Sequence, residues 1–579
     1  MHGNGYRLVN VGAGLGPDML TVCQPRGSLP AMDGGNPKPP RRGRTAPRGA
    51  PLDSSALAEV EAALGPLPRA KDQLIEALHL VHDRQGALWP RHLRALAEIF
   101  GLPHVAPFEV ATFYAHFDVL ADDDAPAPPR TIRVCEGLPC AMAGAADLLA
   151  QARAAFPEAR VLAAPCMGGC HRAPVASVGH RLVEPASLAA LAAPPAPAAE
   201  PPGRPAWNVA AMPQDAMPQD AMLERVRQAG LRGMGGAGFP TARKWALVAA
   251  QPGPRHVVVN ADEGEPGTFK DRWCLEKDSG RVLDAMRLAA TAVGADTGWV
   301  YLRDEYAHLF APLRAAMAER ASLWPGGLHL RRGAGAYVCG EETALLESLE
   351  GKRGYPRHKP PFPGQVGLFG QPTLIHNVET LWWLPEILNN PAGFAASGVN
   401  GRSGKRLVSV SGRVREPGVK QAPAGMSARA IIEELSGGML PGHGLRAFLP
   451  GGASGGMLPA SLADRPLDFG LLDDLGCFVG SGALVVLSDQ DDIVEAARNL
   501  VKFFRDESCG QCTPCRVGTA KAARLLEAPA WDRPLLGELA EAMADGSICG
   551  LGQAALNPVK SLLRFFPEVV PNGAQGRLP

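Results

Sequence analysis

Eight of the twelve cysteines in this 579-residue chain fall into two groups of four, and this clustering constrains the fold more than any other feature. The groups are Cys135, Cys140, Cys166 and Cys170, and Cys509, Cys512, Cys515 and Cys549. Packing alone does not explain such grouping. The N-terminus lacks the basic region and apolar core of a secretory signal, so we expect a cytoplasmic protein. In that reducing compartment, metal or redox roles are favoured over disulfides.

The second group begins with a C-x-x-C-x-x-C run in ESCGQCTPCRVG and is completed much later by Cys549. Three thiolates at this spacing converge on a small volume. A single zinc ion more often takes its ligands as two separate pairs. A triple run with one distant cysteine is typical of a [4Fe–4S] cluster, which implies electron transfer. Zinc and an unliganded structural set are the alternatives.

The first group consists of two loops, Cys135-x₄-Cys140 and Cys166-x₃-Cys170, separated by a helix-length segment. Neither pair has the C-x₂-C spacing usual for structural zinc. Two loops at strand ends in one domain can bring four thiolates around a [2Fe–2S] cluster, with zinc or redox-inactive cysteines as alternatives. His171 follows the last cysteine and is interpreted as a solvent-facing loop residue, because four thiolates already complete a site.

The bulk composition excludes several classes of function. Lys plus Arg and Asp plus Glu both number 58, so no net charge attracts nucleic acid or an anionic membrane. No apolar run is long enough to cross a bilayer, and we expect no direct membrane insertion. The chain is too long for one hydrophobic core, which predicts several domains.

The first third of the chain contains three segments of different composition and residue pattern. Residues 24–51 are rich in Pro, Gly and Arg, which predicts a disordered lead-in. Apolar residues then recur at helical spacing from Leu57 to Phe100. A strand over Thr131–Val134, a helix over Ala141–Ala155 and a second strand near Val161 predict a compact α/β domain.

The remaining segments predict a larger α/β domain, a β-rich insert and a helical end. Apolar runs predict strands over Arg255–Asn260, Arg406–Ser411 and Ala483–Leu487, and helical spacing predicts helices over Ser279–Val293 and Ser427–Leu435. The predicted ranges are a lead-in (1–52), a helical module (53–122), the first cysteine domain (128–193), a Pro/Ala linker (194–220), the large α/β domain (221–402), the β-rich insert (403–488) and the second cysteine domain (489–570).

The stretch Gly233–Gly238 satisfies G-x-G-x-x-G, but its context differs from that of a dinucleotide-binding Rossmann loop. That fingerprint requires a strand before the loop and a helix directly after it. Here Met222–Gln228 is helix-like, and the loop continues into Phe239-Pro240. The glycines still let a flat or phosphorylated ligand approach the backbone closely. By itself this pattern also fits an ordinary flexible loop.

Two acidic turns accompany the glycine loop. NADEGEPGTFKDR, over Asn260–Arg272, follows a predicted strand, and Gly340-Glu-Glu-Thr343 opens a predicted helix. Acidic runs are usually solvated, but two of them at element ends beside a glycine loop indicate a polar ligand crevice. The turn Lys359-Pro-Pro-Phe-Pro363 adds a cation and an aromatic ring, a pairing that suits a phosphate and an adenine face.

Over residues 221–570 the chain closely resembles the NADH-binding flavin subunit of respiratory complex I. The matching motifs are GLRGMGGAGFPTARKW, NADEGEPGTFKDR, GAYVCGEETALLESLEG, KPPFP, IHNVET and ESCGQCTPCRVG. Residues 57–190 resemble a partner subunit of complex I, a thioredoxin-like [2Fe–2S] protein with an N-terminal helical module. The resemblance implies an α/β multidomain fold: helical module, thioredoxin-like domain, Rossmann-like FMN/NAD domain, ubiquitin-like β-grasp insert and C-terminal helical bundle.

The resemblance also implies FMN, NAD(H), one [2Fe–2S] and one [4Fe–4S] cluster, with the two cysteine groups as cluster ligands. The implied FMN residues are Gly233, Gly235, Lys244, Asn260, Asp262, Gly340, Glu341 and Asn377. The implied NAD(H) residues are Phe239, Glu265, Glu342, Lys359 and Phe362. Glu265 and Glu342 are expected to position the nicotinamide. Leu247 departs from members that carry an adenine-stacking aromatic residue at this position.

Complex I usually keeps these two subunits on separate chains. Their fusion resembles the diaphorase subunit of soluble NAD-linked formate dehydrogenases or of NAD-reducing hydrogenases. In fused hydrogenase subunits the N-terminal cysteines are often degenerate, whereas all four are present here. This favours the β subunit of a molybdenum- or tungsten-dependent formate dehydrogenase, whose catalytic α subunit carries further iron–sulfur clusters and a Mo/W pterin. The alternatives are a hydrogenase diaphorase, a fused complex I subunit and a non-catalytic zinc-binding scaffold.

Overall fold

The computed structural model describes residues 51–194 and 217–571. Most of the predicted lead-in (1–52) and of the predicted linker (194–220) lies outside the described residues. Within the described part of the chain, no helix has both the length and the apolar composition needed to cross a bilayer.

A module of four helices comes first. These are α1 (Ser54–Leu64), α2 (Leu74–Gln85), α3 (Pro90–Ile99) and α4 (Val105–Phe113). The carboxylate of Asp53 starts α1, since it accepts hydrogen bonds from the backbone N–H groups of Ser55 and Ala56 at 2.9 and 3.1 Å. The buried face of α2, with Leu78 and Val81, joins the same hydrophobic core as the large α/β domain described below.

The next domain contains a four-stranded mixed sheet in the order β2-β1-β3-β4. Its elements are β1 (Thr131–Cys135), α5 (Leu138–Met142), α6 (Ala145–Ala155), β2 (Arg160–Ala164), β3 (Ala176–Val178), β4 (Arg181–Val183) and α7 (Leu188–Ala192). The helix predicted over Ala141–Ala155 is therefore divided, because Gly144 adopts a left-handed φ of +83° between α5 and α6. β1 and β2 are parallel, so their carboxyl ends meet at one edge.

The large α/β domain is built on a parallel sheet in the order β7-β6-β5-β8. Its elements are α8 (Gln219–Gln228), α9 (Thr241–Ala249), β5 (His256–Ala261), α10 (Lys270–Val293), β6 (Thr297–Leu302), α11 (Phe310–Arg320), β7 (Leu328–Arg332), α12 (Glu342–Leu349), β8 (Thr373–Asn377), α13 (Val378–Trp382), α14 (Leu384–Asn389) and α15 (Pro391–Ala395). A break at Asp278 divides α10, and its second part corresponds to the predicted helix Ser279–Val293. The helix α8 precedes the glycine loop, in agreement with the argument against a Rossmann loop.

The β-rich insert forms a five-stranded sheet in the order β10-β9-β13-β11-β12. Its elements are β9 (Lys405–Gly412), β10 (Gly418–Pro423), α16 (Ala428–Ala430), β11 (Leu445–Leu449), β12 (Leu458–Pro459) and β13 (Ala483–Ser488). β9 and β13 are the parallel central pair. The predicted helix Ser427–Leu435 begins with Ser427 as its cap, but it continues as a π-helical turn over Ile431–Leu435.

The C-terminal part is helical. It contains α17 (Ile493–Glu507), α18 (Thr513–Glu527), α19 (Arg533–Gly546), α20 (Gly550–Ala554) and α21 (Asn557–Phe565). The apolar stripe of α17, including Leu500, Val501 and Phe504, is buried against its neighbours, as expected for an amphipathic helix. The triple-cysteine loop joins α17 to α18.

Candidate functional site

A cleft of about 1410 Å³ lies beyond the carboxyl ends of the parallel strands. The edge strand β8 lies next to β5, whereas the chain leaves β5 toward β6 and β7 on the opposite side. Ligands of open parallel sheets bind where the strand order reverses in this way. Residues of the β-rich insert and of α20 also line this cleft.

Every residue predicted for FMN or NAD(H) lines this cleft. They are Gly233, Gly235, Phe239, Lys244, Asn260, Asp262, Glu265, Gly340, Glu341, Glu342, Lys359, Phe362 and Asn377. They come from the glycine loop, the ends of β5 and β8, the start of α12 and the proline-rich turn. The fold therefore brings together segments that lie up to 144 residues apart, from Gly233 to Asn377.

Glycines keep the floor of the cleft open. A Cβ atom at Gly340 would lie 3.1 Å from the backbone oxygen of Asp262, and one at Gly235 would lie 3.2 Å from Cβ of Asn377. At Gly238 the backbone has a φ of +63°, which disfavours other residues. Side chains at these positions would therefore push against Asp262, Asn377 and Phe469, which line the cleft.

Asp262 has a buried carboxylate oxygen, Oδ2, without a hydrogen-bond partner. Burial raises the pKa of this carboxyl to about 8, although Arg303 opposes the shift. An unsatisfied buried oxygen costs about 1–3 kcal/mol, and a hydroxyl of a bound ligand removes that cost. Nearby, the amide of Asn260 donates a hydrogen bond to the Gly340 oxygen at 2.8 Å. This polar floor fits a polyhydroxylated group such as the ribityl chain of FMN.

Two lysines and two glutamates form a network above this floor. Lys244 Nζ donates to the backbone oxygen of Ile375 at 2.9 Å and lies 3.3 Å from Glu342 Oε2. Lys359 Nζ lies 3.1 Å from Glu342 Oε1 and 2.8 Å from Glu341 Oε1. Burial disfavours ionisation of Glu342, but Lys244 and Lys359 hold its pKa below the ordinary value. A phosphate fits here because it can replace the carboxylates as the partner of the lysines.

Two aromatic rings and one aliphatic side chain present apolar faces to the cleft. Phe239 is 40% exposed, Leu247 51% and Phe362 54%. Exposed phenylalanine rings inside a concave site are surfaces for stacking a nucleotide base. The guanidinium of Arg243 lies 5.6 Å from the Phe239 ring centroid and holds that ring from one side.

Glu265 is nearly buried, unlike most acidic residues of surface loops. It is 8% exposed, and its carboxylate accepts hydrogen bonds from the Tyr337 hydroxyl and from the backbone and hydroxyl of Ser454. Burial raises its pKa above the ordinary value against these bonds. Ser454 belongs to the insert, and no local sequence signal marks it. Phe469, also from the insert, was likewise missed, although it lines the cleft beside the glycine loop.

A buried lysine, Lys270, holds the side chain of Asn377 in place. Lys270, only 1% exposed, pairs with Asp271 at 2.8 Å and with Glu379 at 3.1 Å. Its Nζ also donates to Asn377 Oδ1 at 3.3 Å. These contacts fix the side chain of Asn377 at the end of β8, where it caps α13.

The second cysteine group lies directly beside the cleft. Cys512 precedes α18, Cys515 lies in its first turn and Cys549 precedes α20. Cys515 is buried, and Cys509, Cys512 and Cys549 are half-buried in the same core cluster. Cys549 also lines the cleft. One of the four predicted [4Fe–4S] ligands, Cys549, therefore lines the same cleft as the predicted flavin residues.

The first cysteine group occupies the edge where β1 and β2 end. All four thiols are at most 3% exposed. Cys166 Sγ lies 3.3 Å from Cys170 Sγ, and Cys140 and Cys166 are near enough to Cys135 to raise the pKa of its thiol. Four buried thiols gathered in this way fit a [2Fe–2S] cluster, which takes two sulfur ligands on each iron.

His171 is not the solvent-facing residue that its position suggested. Its ring is half-buried and stacks on Phe269 with centroids 4.7 Å apart. The acidic segment after β5 packs against this cysteine loop: Arg272 donates to the Gly168 oxygen at 3.3 Å. Arg303 donates to the Cys166 oxygen at 2.8 Å. Tertiary contacts with the large domain, which local sequence does not show, bury the loop.

Three family models match the chain. Residues 60–193 match the thioredoxin-like [2Fe-2S] ferredoxin model. Residues 226–386 match the Nuo51 FMN-binding domain, and residues 495–572 match the NADH-ubiquinone oxidoreductase-F iron-sulfur binding region.

A curated relative, the NADH-quinone oxidoreductase F subunit 2 of Rhizobium meliloti (strain 1021), is 41% identical over 377 residues, which are 62% of this chain and 90% of the relative. The chain belongs to the family of NADH-quinone oxidoreductase F subunits. Another member, from Aquifex aeolicus (strain VF5), is 40% identical over 60% of this chain and 84% of the relative.

The chain is also similar to a solved structure along most of its length. A chain of the NAD+-reducing [NiFe]-hydrogenase in the H2-reduced state has a TM-score of 0.76 at 35% identity. The match covers 86% of this chain and 93% of the hydrogenase chain. It therefore extends beyond the part shared with the two NADH-quinone oxidoreductase relatives.

Membership of this family confirms several predictions. The α/β multidomain fold class, with a thioredoxin-like domain and an FMN-binding domain, is confirmed. The cofactors FMN, NAD(H), [2Fe–2S] and [4Fe–4S] are confirmed. The chain is thus an NADH-oxidising flavin diaphorase subunit with iron–sulfur clusters. The individual ligand residues stay predictions.

Proposed function

We propose that this chain transfers a hydride between NAD(H) and FMN in one cleft and relays single electrons through the Cys549 cluster to or from a catalytic partner subunit. The observation that carries the proposal is that Cys549 lines the same cleft as the flavin residues. Electron transfer needs the two redox groups to be close together, and a shared wall supplies that proximity.

Gly233, Gly235 and Gly340 would let the flavin approach the backbone closely. Asn260, Asp262 and Asn377 would hold its ribityl hydroxyl groups, Lys244 would pair with its phosphate, and Glu341 would complete the site. FMN, when bound, exchanges hydride with nicotinamide and passes electrons singly. The protein positions the reactants and needs no covalent step of its own.

The residues Phe239, Phe362 and Lys359 would bind the nucleotide. The two rings offer stacking faces, and the lysine offers a charge for phosphate. Glu265 and Glu342 would orient the nicotinamide. For Glu265 this proposal is supported by its three hydrogen bonds, which hold the carboxylate in one position.

Cysteine ligation completes the proposed path. Cys509, Cys512, Cys515 and Cys549 would hold the [4Fe–4S] relay. Cys135, Cys140, Cys166 and Cys170 would hold a [2Fe–2S] cluster that serves as a side store of electrons. Burial of the first four thiols and the contact between Cys166 and Cys170 support this assignment.

For the partner, we propose the catalytic subunit of a cytoplasmic Mo- or W-dependent formate dehydrogenase, which carries further iron–sulfur clusters. The overall reaction is HCOO⁻ + NAD⁺ → CO₂ + NADH. The presence of all four cysteines in the first group supports this choice over a hydrogenase with degenerate cysteines. A hydrogenase partner is the second candidate, because the similar chain from an NAD+-reducing [NiFe]-hydrogenase covers 86% of this one.

Two measurements test these proposals. Flavin-loaded protein is expected to reduce ferricyanide with NADH, and no NADH oxidation by such protein would overturn the hydride proposal. The metal content of the co-purifying complex tests the partner. Molybdenum or tungsten together with formate-dependent NAD⁺ reduction is expected, whereas nickel with hydrogen-dependent reduction would replace the formate assignment.

A further inference from the structure

Three histidines meet at the junction of the helical module and the large α/β domain. His79 and His82 lie three residues apart on α2, and His116 follows α4. Their ring centroids lie 4.8 Å apart for His79 and His116 and 5.3 Å apart for His82 and His116. We call these three residues the histidine cluster. It is separate from the cleft and from both cysteine groups.

Each ring of the histidine cluster has one buried nitrogen without a hydrogen-bond partner. These atoms are His79 Nδ1, His82 Nδ1 and His116 Nε2. His79 is 1% exposed, and the side chains of His82 and His116 are 11% and 8% exposed. Buried polar atoms are nearly always paired in folded proteins, so three orphaned nitrogens in one cluster call for a ligand.

The other nitrogen of each ring has a polar partner. His79 Nε2 donates to the Gly333 backbone oxygen at 3.0 Å. His116 Nδ1 lies 2.9 Å from Asp304 Oδ2. His82 Nε2 lies 3.3 Å from the Asp118 backbone nitrogen and 3.8 Å from Asp118 Oδ2. Histidines that bind metals characteristically donate their second ring N–H to a carboxylate or a backbone carbonyl.

The spacing also suits a metal ion. One ligating atom from each of His79, His116 and Asp304 lies within 4.8 Å of the others, and the same holds for His82, Asp83 and His116. His116 is common to both groups. Neither group contains both His79 and His82, so these two rings must turn toward His116 to share one ion. Ligands of a tetrahedral zinc ion lie about 3.3 Å apart, given bonds of about 2.0–2.1 Å to nitrogen.

The surrounding charge favours a cation. Asp83 and Asp304 both lie beside the cluster, and they share one guanidinium, that of Arg332, at 2.6 Å each. Two carboxylates against one guanidinium leave a negative charge.

We propose that His79, His82 and His116 bind one divalent transition-metal ion of the zinc class. Asp304 orients His116, and a water molecule completes four-coordination. When His82 Nδ1 turns toward the ion, His82 Nε2 gives up the 3.3 Å hydrogen bond that it accepts from the Asp118 backbone N–H. It donates a hydrogen bond to the Asp118 carboxylate instead. The ion clamps α2 and the segment after α4 to the loop after β6 that carries Asp304. This site goes beyond the proposed function and takes no part in hydride transfer.

The test is zinc analysis of the holoprotein after a wash with a mild chelator. About one zinc ion per chain is expected, with a nitrogen and oxygen shell at about 2.0–2.1 Å in X-ray absorption at the zinc edge. A sulfur shell at about 2.3 Å would place zinc in the cysteine groups instead and overturn the proposal. Absence of zinc, with no binding of added Zn²⁺, would also overturn it.

Variants refine this measurement. His116→Gln is expected to lose the zinc while keeping iron and FMN, whereas His104→Gln, at an exposed position of the same module, is expected to keep all three. Added Zn²⁺ is expected to raise the Tm of chelated wild-type protein and of H104Q, but not of H116Q. Zinc retained by H116Q would contradict the assignment. If H116Q does not fold, the absorption spectrum of the wild type decides by itself.

Discussion

Ser454 donates two hydrogen bonds to one oxygen of Glu265, from its backbone nitrogen at 2.7 Å and from its hydroxyl at 2.8 Å. The backbone oxygen of Ser454 in turn accepts a hydrogen bond from Asn557 Nδ2 at 2.9 Å. One residue of the insert therefore connects the acidic loop after β5 to the C-terminal helices. The position of the Glu265 carboxylate depends on the packing of three domains.

Ser454→Ala removes the hydroxyl bond and keeps the backbone bond. We expect kcat/KM for NADH to fall about tenfold, because a hydrogen bond to a charged group contributes about 1.5 kcal/mol. FMN content should stay at the wild-type level. Steady-state kinetics with ferricyanide measures the effect, with Ser461→Ala, at an exposed position of the insert, as the matched control. Equal kinetics in both variants would mean that Glu265 does not act on the nicotinamide.

Phe362→Ala tests the stacking face on the proline-rich turn. The ring is 54% exposed, so its removal should change Tm little. The KM for NADH should rise about three- to tenfold, since an aromatic pair contributes about 0.5–1.5 kcal/mol beyond its buried area. Val366→Ala, 44% exposed on the same turn but not lining the cleft, is the control and should leave KM unchanged. An unchanged KM in F362A would exclude this ring from nucleotide binding.

Gly340→Ala tests the close approach of the flavin. The added methyl group would lie 3.1 Å from the backbone oxygen of Asp262, which cannot move without displacing β5. We expect protein that is folded by circular dichroism but has lost most of its FMN, measured by fluorescence of the released flavin. Gly537→Ala, where a Cβ meets nothing within 4 Å, should retain FMN fully. Full flavin content in G340A would contradict the proposed floor of the site.

Cys549→Ser separates hydride transfer from electron relay. Loss of one thiolate should remove the [4Fe–4S] signal from the electron paramagnetic resonance spectrum and lower the iron content. NADH oxidation with ferricyanide should persist, whereas electron exchange with the partner subunit should be lost. Cys477→Ser is the control, because Cys477 is buried beside Ser561 outside both cysteine groups. A complete cluster in C549S would show that another residue is the fourth ligand.

The buried carboxyl of Asp262 predicts how stability depends on pH. Burial raises its pKa from 3.8 to about 8, so the folded protein keeps a proton that the unfolded chain releases. Between these two values the folded state binds more protons, and the free energy of unfolding therefore falls as pH rises. Burial also raises the pKa of Glu263 to about 8, which adds to the slope.

Asp262→Asn should make this slope shallower between pH 5 and 8 without abolishing it. Denaturant unfolding of the flavin-free protein at several pH values measures it. Asp296→Asn, at an exposed position, should keep the wild-type slope. A D262N slope as steep as that of the wild type would mean that Asp262 is ionised in the folded protein at neutral pH.

Much of the site could be predicted because it uses chemically distinctive residues in local runs. The cysteine spacing, the Gly233–Gly238 loop and the acids after β5 stand out without any knowledge of the fold. The apolar run within Arg255–Asn260 predicted the strand observed at His256–Ala261 for the same reason, since a strand buried on both faces is continuously apolar.

Other features depended on contacts between distant segments. Ser454 has no distinctive neighbours, and it reaches Glu265 only because the insert folds over the cleft. His171 was expected in solvent but stacks on Phe269, which follows it by 98 residues. The π-helical end of the predicted Ser427–Leu435 helix also departs from the expectation of a regular α-helix.

The sequence by itself determined the chemical parts: two groups of four thiols, a glycine loop, two acidic turns and a cationic, aromatic turn. Residue type and spacing carry that information, because ligation and phosphate binding need particular atoms close together along the chain. Only the tertiary structure decided that Cys549 and the flavin residues share one cleft and that His116 contacts both His79 and His82. Contacts between residues far apart in sequence depend on how whole helices and strands pack, and no single local segment determines that packing.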